Sequence, residues 1–372
     1  MSQTKVEAPF VENNKPFRNI IINGDMSISQ RGTSFASVGN TDSQYTLDRW
    51  KFTEEGDFGA AEITITQDTD VPTGEGFAKS LKCVCATADT SIDSGTISYI
   101  EQRIEGQNLQ HVAKGTSGAK KMTYSFFCKS NLTGTFTINF LDSDNSRQFS
   151  TSYSLASADT WERIIINIPA DTTGAFTNDN GDSLIVQMNL QAGTSKSNGA
   201  LTTAFEASAQ GDRGVGQTNF FSSTSNNWYI TGCQLEVGDA ATDFEFLPFD
   251  VQLQRCLRYF FRDNLYTSGV GATGAIAAGQ CNTTTRFDGQ YDFPVLMRAR
   301  PTGSVSGADK FRVQHAGSVT ATTGISLEAD GVAPSFKSTM IYATVSSGLT
   351  AGRGGNLIHN NATAHIDNDA EL

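Results

Sequence analysis

Apolar side chains recur at every second position in a series of short runs. Ile63 and Ile65 alternate with threonines, and Leu81, Cys83 and Cys85 follow the same rule. So do Met122, Tyr124, Phe126 and Cys128; Phe136, Ile138 and Phe140; and Leu184, Val186, Met188 and Leu190. A period of two puts alternate side chains on one face, so each run predicts a strand with one buried side. Trp161 leads a further run, WERIIINI; Ile20, Ile21 and Ile22, followed by the turn Asn23-Gly24-Asp25, and LDRWKF around Trp50 suggest more. The runs ending at Cys128 and beginning at Phe136 are separated by Leu132-Thr133-Gly134, which predicts a hairpin. Eight or more short strands, with Gly, Asn, Asp and Ser turns and no helix-period segment between them, predict a large β-sandwich over residues 19–249. Long loops such as 192–219 fall inside it.

Residues 229–261 form the joint of the chain. Tyr229, Thr231, Cys233 and Leu235 still alternate, and residues 238–248 read as an extended, turn-forming connector. Asp250 can cap a following helix through the free N–H groups of its first turn. Leu253, Cys256, Leu257, Phe260 and Phe261 then stand at i, i+3, i+4, i+7 and i+8, one apolar stripe of a linking α-helix over 250–263. Residues 264–372 return to strand patterns interrupted by Pro294 and Pro301, with AHIDNDAEL as a last strand, and predict a smaller C-terminal β-domain. Residues 1–18 hold two prolines and no periodicity, with Phe10, Val11 and Phe17 as anchors. They read as an N-terminal anchoring arm that leans on another chain. The fold class is therefore all-β, a large sandwich, a short linking helix and a smaller second β-domain.

Charged residues make up 18% and hydrophobic ones 38% of the 372 residues, and Gly, Ser, Thr and Asn fill the difference. That balance suits turns and solvated strands better than helices. The net charge is −12, and residues 264–372 carry seven basic and eight acidic side chains, so nearly all of it precedes residue 264. Such a surface repels phosphate backbones, and no nucleic-acid partner is expected. No apolar run is long enough for membrane insertion, and the N-terminus lacks the apolar core of a signal peptide. Cys83, Cys85, Cys128, Cys233, Cys256 and Cys281 form no CxxC pair and read as buried, reduced thiols of a protein made in the cytoplasm.

Catalytic signatures are sparse, and no cofactor is expected. GVGATG at Gly269–Gly274 matches a dinucleotide fingerprint by letter, but no strand and helix flank it, so it reads as a loop. His111, His315, His359 and His365 have no metal-ligand spacing, and the last two fall in what reads as a solvated tail. Asp142-Ser143-Asp144-Asn145 and Asp179-Asn180-Gly181-Asp182 suit acidic turns or, as a minor alternative, calcium. Glu101, Glu105 and Glu162 could face a groove as a glycosidase pair, or serve in ion pairs. Trp50, Trp161 and Trp228 could stack on sugar rings, or fill the core.

The joint carries a set of residues with a wider resemblance. Gln234-Leu235-Glu236, Gly238, Ala241-Thr242 and Phe244-Glu245, then Leu253, Cys256 and Arg258-Tyr259-Phe260, resemble a pattern of bacteriophage and prophage tail-fibre-like structural proteins. NIIINGDMSISQRGTSF, EQRIEG, SFFCKSNLTGT, TWERIIINIPADTTG, FPVLMRARPT and the ending IDNDAEL extend it over nearly everything after residue 18. The resemblance implies a jelly-roll domain similar to carbohydrate-binding modules, which open on an NGDFE-like turn. Here Met26-Ser27 replaces the Phe-Glu of that turn, which removes the Glu such a calcium site would use. It implies no catalytic residue.

Together these readings lead to a non-enzymatic virion protein, a tail fibre, fibre tip or capsid-attached appendage. The arm would hold other virion proteins and the sandwich would contact host surface polysaccharide. Multivalent attachment through weak sites favours an oligomer, and the resemblance implies that it is a homotrimer. The alternatives are a polysaccharide depolymerase and a ligand-free capsid decoration or cement protein.

Overall fold

The computed structural model describes residues 17–39, 43–264, 274–327 and 335–372. Residues 1–16 of the arm and residues 269–273 of the GVGATG segment lie outside the described residues. The chain divides into two compact units, one running to Gln252 and joined by Leu372, the other Leu253–Glu371.

The first unit is a sandwich of two antiparallel sheets. Its strands are β1 (Ser34–Val38), β2 (Gln44–Tyr45), β3 (Lys51–Glu55), β4 (Glu62–Asp68), β5 (Ser80–Thr87), β6 (Ile97–Glu105) and β7 (Met122–Ser130). They continue with β8 (Gly134–Asp142), β9 (Arg147–Leu155), β10 (Glu162–Ile168), β11 (Asp182–Ala192), β12 (Glu206–Ala207) and β13 (Asn227–Val237). One sheet runs β1-β4-β5-β13-β7-β10 and the other β12-β9-β8-β11-β6-β3-β2. The period-two residues fill the space between them: Ile63, Ile65, Leu81, Cys83, Tyr124, Phe126 and Ile230 from one side meet Phe136, Ile138, Phe140, Val186 and Met188 from the other. This is the expected all-β sandwich, and its crossing connections give it the jelly-roll-like order.

The expected hairpin is not there. β7 pairs with β13 and β10, whereas β8 pairs with β9 and β11 in the opposite sheet. Leu132-Thr133-Gly134 is a crossing between sheets, and Gly134 takes it with φ +122°. Both runs bury the same kind of face, so alternation alone could not say that they face each other across the core. Nor do Ile20, Ile21 and Ile22 form a strand; they are buried, and Ile20 N–H donates to the Leu235 carbonyl (2.8 Å).

The central strands are buried on both faces. Beyond the core, the outward side of β11 carries Gln187, Asn189 and Gln191, roofed by the segment between β11 and β13. Arg213 from that roof reaches Glu55 (2.9 Å from each Nη) and the Gln187 side-chain oxygen (2.9 Å), and Lys196 adds a bond to Glu55 (2.8 Å). Asn189 bridges Thr137 and the Arg213 carbonyl. Gln187, Asn189 and Arg213 are tolerable there because these bonds replace water.

The second unit begins inside the helix Phe249–Leu257. Its strands are β14 (Phe260–Asp263), β15 (Ala275–Cys281), β16 (Arg286–Asp292), β17 (Thr302–Val305), β18 (Phe311–His315) and β19 (Ser318–Ala321), then β20 (Gly324–Leu327), β21 (Ser338–Thr344), β22 (Gly354–His359) and β23 (Ile366–Asp369). A sheet β14-β23-β17 and a sheet β19-β18-β22-β15-β16-β21-β20 share a core around Phe287, Tyr291, Phe311, Leu357 and Ile366. Three expectations at the joint need correction. The helix starts at Phe249, so Asp250 lies in its first turn, and it ends at Leu257. Phe260 and Phe261 sit on β14, paired with Asp369 and Asn368, because a strand partner more than a hundred residues away outweighs the local helix period. Cys256 and Phe260 are buried, whereas Leu253, Leu257 and Phe261 are half-buried, so no single helical stripe exists. His359 is no tail residue either. It is fully buried at the end of β22 beside Phe311 (ring centroids 5.6 Å), and burial lowers its pKa.

Two outcomes follow from this packing. Phe260→Ala should cost the second unit about 3–5 kcal/mol and Leu257→Ala well under that, read from denaturant unfolding of the full chain; equal costs would restore the helical stripe. For Glu55, burial alone would raise the pKa, but the Arg213 hydrogen bond and charge, with Lys196 and Tyr99, outweigh it and hold it at about 2, against an ordinary value of 4.5. The folded state keeps this carboxylate charged while the unfolded chain takes up the proton first as pH falls. The stabilisation is therefore complete above about pH 4.5 and is lost towards pH 2. Acid titration of stability should show this slope in the wild type, and Glu55→Gln should remove that part of it.

Candidate functional site

A pocket of about 270 Å³ opens on the outer face of the six-stranded sheet. Its floor is Ser125 and Phe127 of β7 with Gly232 of β13. Gly74, Glu75 and Phe77, from the loop between β4 and β5, form one wall. Asp243, Phe244 and Phe246, from the connector after β13, form another, and Arg163 of β10 closes a third side.

The four phenylalanine rings make one cluster. Phe77 is its centre, with ring centroids 5.6 Å from Phe127 and 5.1 Å from both Phe244 and Phe246. Phe244 and Phe246 meet edge to face at 4.9 Å. Gly232 makes room for them. It sits where the β13–β7 register shifts, with φ +65°, and an added Cβ would lie 2.6 Å from the Phe77 ring and 3.1 Å from Phe127. Bulges of this kind re-aim neighbouring side chains, and glycine takes the left-handed conformation without a Cβ clash.

The connector lies on the sheet because polar residues hold it there. Glu236, buried, accepts from the Thr242 N–H (2.8 Å) and hydroxyl (2.8 Å) and from the Gln234 amide (3.0 Å). The Gln234 side-chain oxygen accepts from Glu245 N–H (2.8 Å). Glu245 in turn accepts from the backbone N–H groups of Phe17 (2.7 Å) and Asn19 (2.9 Å), and Arg18 binds the Thr242 hydroxyl and the Asp243 carbonyl. Arg163 Nη2 donates to the Thr242 carbonyl (2.6 Å), which fixes that cation at the rim. Glu75, Asp243 and Arg163 are exposed and half of Phe246 is bare (51%), so rings and charged groups share one solvent-facing rim.

The tryptophans separate. Trp50 and Trp228 are fully buried core residues and leave the set of sugar-stacking candidates; Trp50 spends its N–H on the Asn23 carbonyl (2.9 Å). Trp161 is half-buried on the same outer face as the pocket. It packs edge-on against Tyr229 (6.0 Å) and donates to Asp70 (3.0 Å). Lys129 pairs with Asp70 and lies over both rings, 4.4 Å from the Tyr229 centroid and 5.4 Å from that of Trp161.

None of the three glutamates proposed from the sequence lines the pocket. Glu101 is fully buried beneath the roof, bound to Thr53 (3.0 Å), Arg103 (3.1 Å) and Gln187 (3.1 Å). Glu105 is buried and accepts from Gln107, and Glu162 accepts from the N–H groups of Ala156 and Ser157. The acidic turns also spend their oxygens on the fold. Asp142 pairs with Lys114 (2.5 Å) and Asn145, and Asp144 and Asp179 both bind Thr177. Among the described residues no three His, Cys, Asp or Glu side chains come together as metal ligands. All six cysteines are buried free thiols.

Glu75, Asp243 and the four phenylalanines were missed at the sequence level. The available signal was aromatic residues in non-periodic connectors, GEGF at 74–77 and DFEF at 243–246, where no strand face accounts for them.

No family model and no curated protein matches this chain. Solved structures overlap its fold at low identity. The enzymatically active domain of tailspike protein 4 of bacteriophage CBA120 does so at a TM-score of 0.32 and 14% identity, over 60% of this chain and 22% of that one. A carbohydrate-binding module of family 4 overlaps at 0.30 and 14%, over 58% of this chain and 98% of the module. A family 22 module joined to the catalytic module of xylanase 10B from Clostridium thermocellum does so at 0.29 and 12%, over 61% and 30%. This chain thus spans about a fifth of the tailspike structure, and the overlaps assign none of its residues a role.

Proposed function

We propose that this chain is a non-enzymatic structural protein of a bacteriophage virion, a tail fibre, fibre tip or capsid-attached appendage, whose sandwich binds host surface polysaccharide in the phenylalanine pocket. The observation that carries the binding role is the pocket itself: four aromatic rings and a rim of Arg163, Glu75 and Asp243 converge on one concave spot. A pyranose ring has an apolar C–H face and a belt of hydroxyls. The C–H face suits the phenylalanine rings, and the hydroxyls suit charged groups that donate or accept at the edge. The virion role is supported by the resemblance of the joint residues to tail-fibre-like proteins; in that reading the N-terminal arm holds other virion proteins and the chain acts as a homotrimer.

A polysaccharide depolymerase is the second reading, and one observation favours it. Glu75 and Asp243 both line the pocket, and a glycosidase needs two carboxylates flanking one bond.

Glycan-array binding tests the pocket. The wild type should bind at least one host-type glycan. Phe246→Ala, which removes a half-exposed ring, should leave melting unchanged and weaken binding about ten-fold, or ~1.4 kcal/mol. A wild type that binds no glycan overturns the reading, and new reducing ends on incubation with host polysaccharide would replace it with the depolymerase. Absence of the protein from purified particles would remove the virion role, and a monomer by light scattering would remove the trimer.

A further inference from the structure

The floor of the pocket does not end at the pocket. On β7 the outward residues run Ser125, Phe127, Lys129, and opposite them on β10 stand Ile165, Arg163 and, one step before the strand begins, Trp161. Phe127 and Arg163 belong to the pocket. Lys129 and Trp161 are the next outward positions along the same two strands. Two residues of strand span about 7 Å, so the tryptophan patch is an adjoining row on one surface.

The patch is built to hold its ring still. Tyr229, nearly buried, is a pedestal: Lys82 lies 5.2 Å and Lys129 4.4 Å from its centroid, and Trp161 abuts its edge. Asp70 fixes the Trp161 N–H and the Lys129 ammonium, and Asp68 holds Lys82 at 3.1 Å. Asp70 belongs to the same β4–β5 loop that supplies Gly74, Glu75 and Phe77 to the pocket. One loop thus borders both aromatic features. The charges along the row nearly balance: Arg163, Lys129 and Lys82 stand against Glu75, Asp243, Asp68 and Asp70. On a chain with net charge −12, that local balance favours an uncharged ligand over a polyanion.

Resting on the glycan reading above, we propose that the pocket and Trp161 are two subsites of one track, and that the ligand is an internal stretch of a linear, neutral polysaccharide lying along β7 and β10. Phe127, Phe77 and Phe246 take one sugar, and the half-buried Trp161 ring takes another further along the chain.

An array of neutral homo-oligosaccharides of one to six units, in several linkages, tests this with the wild type, Phe246→Ala and Trp161→Ala. In at least one linkage series wild-type binding should rise with length. Trp161→Ala should weaken the longer members about ten-fold, to the level of the short ones, and leave the short ones unchanged, whereas Phe246→Ala should weaken all lengths. Length-independent binding, or a Trp161→Ala variant that binds long oligomers like the wild type, overturns the track while the pocket stands. Stronger binding to uronic-acid or sulfated oligomers than to neutral ones overturns the neutral-ligand assignment. A wild type that binds no series overturns the glycan reading, and the track with it. Melting of both variants, expected unchanged, separates lost binding from lost fold.

Discussion

A buried carboxylate, that of Glu236, determines where the aromatic pocket can form. The first part of the connector, residues 238–243, holds only Gly, Asp, Ala and Thr and has little apolar reason to lie back on the sheet it has just left. It does so because Glu236 binds both the backbone and the hydroxyl of Thr242, while Gln234 and Glu245 complete the bonding on either side. An unpaired carboxylate at this depth would be costly, so the clamp is stable only when the connector is home. Phe244 lies between two clamp residues and Phe246 directly after the last, so closing the clamp delivers both rings to Phe77. Arg18 and Asn19 tie the entry of the chain into the same network, which makes the start of the domain and the end of its last strand one structural unit.

The two outer faces of the sandwich have been given different fates by the same principle. On the seven-stranded sheet, the outward polar residues of β11 are covered by the segment before β13, and Arg213 and Lys196 neutralise Glu55 beneath it. On the six-stranded sheet the covering is partial. The β4–β5 loop and the connector after β13 border a gap floored by Phe127 and Gly232. A polar network around Arg213 and Glu55 closes the first face, and aromatic rings remain at the opening of the second.

Strand existence was legible in the sequence; strand partnership was not. Alternation states that one face of β7 and one face of β8 are buried, and this holds equally for neighbours in a sheet and for strands facing each other across a core. Phe260 and Phe261 fit a helix period because Leu253 and Leu257 precede them at the right spacing, and nothing local reveals that residues 366–369 will pair with them. The tryptophans illustrate the opposite limit. Their apolar surroundings correctly pointed to the core for Trp50 and Trp228, and the same reasoning undervalued Trp161, which stands at the end of a sheet edge. The pocket was the least legible part. Its rings come from three segments, two of them without periodicity, and they meet only because the clamp closes. The clamp residues were visible as the QLE, AT and FE of a wider resemblance, yet a string of conserved-looking letters does not say that they bond to one another.

The size of the pocket sets a limit on how it can work. A volume near 270 Å³ is at the lower edge of small-molecule sites and suits a single ring better than a chain. On the proposed glycan reading, a ligand of that size offers little buried area to offset the freedom it loses on binding, so one pocket would hold one sugar weakly. Two remedies need no change to the pocket. One lengthens the contact along the strand face, where Trp161 already stands fixed by Asp70 and Lys129. The other multiplies the chain, since linked copies convert later contacts into intramolecular ones and raise avidity steeply. The first draws on side chains in this fold, the second on assembly. On that reading a site on a sheet face is compatible with both, because neither requires the sandwich to move.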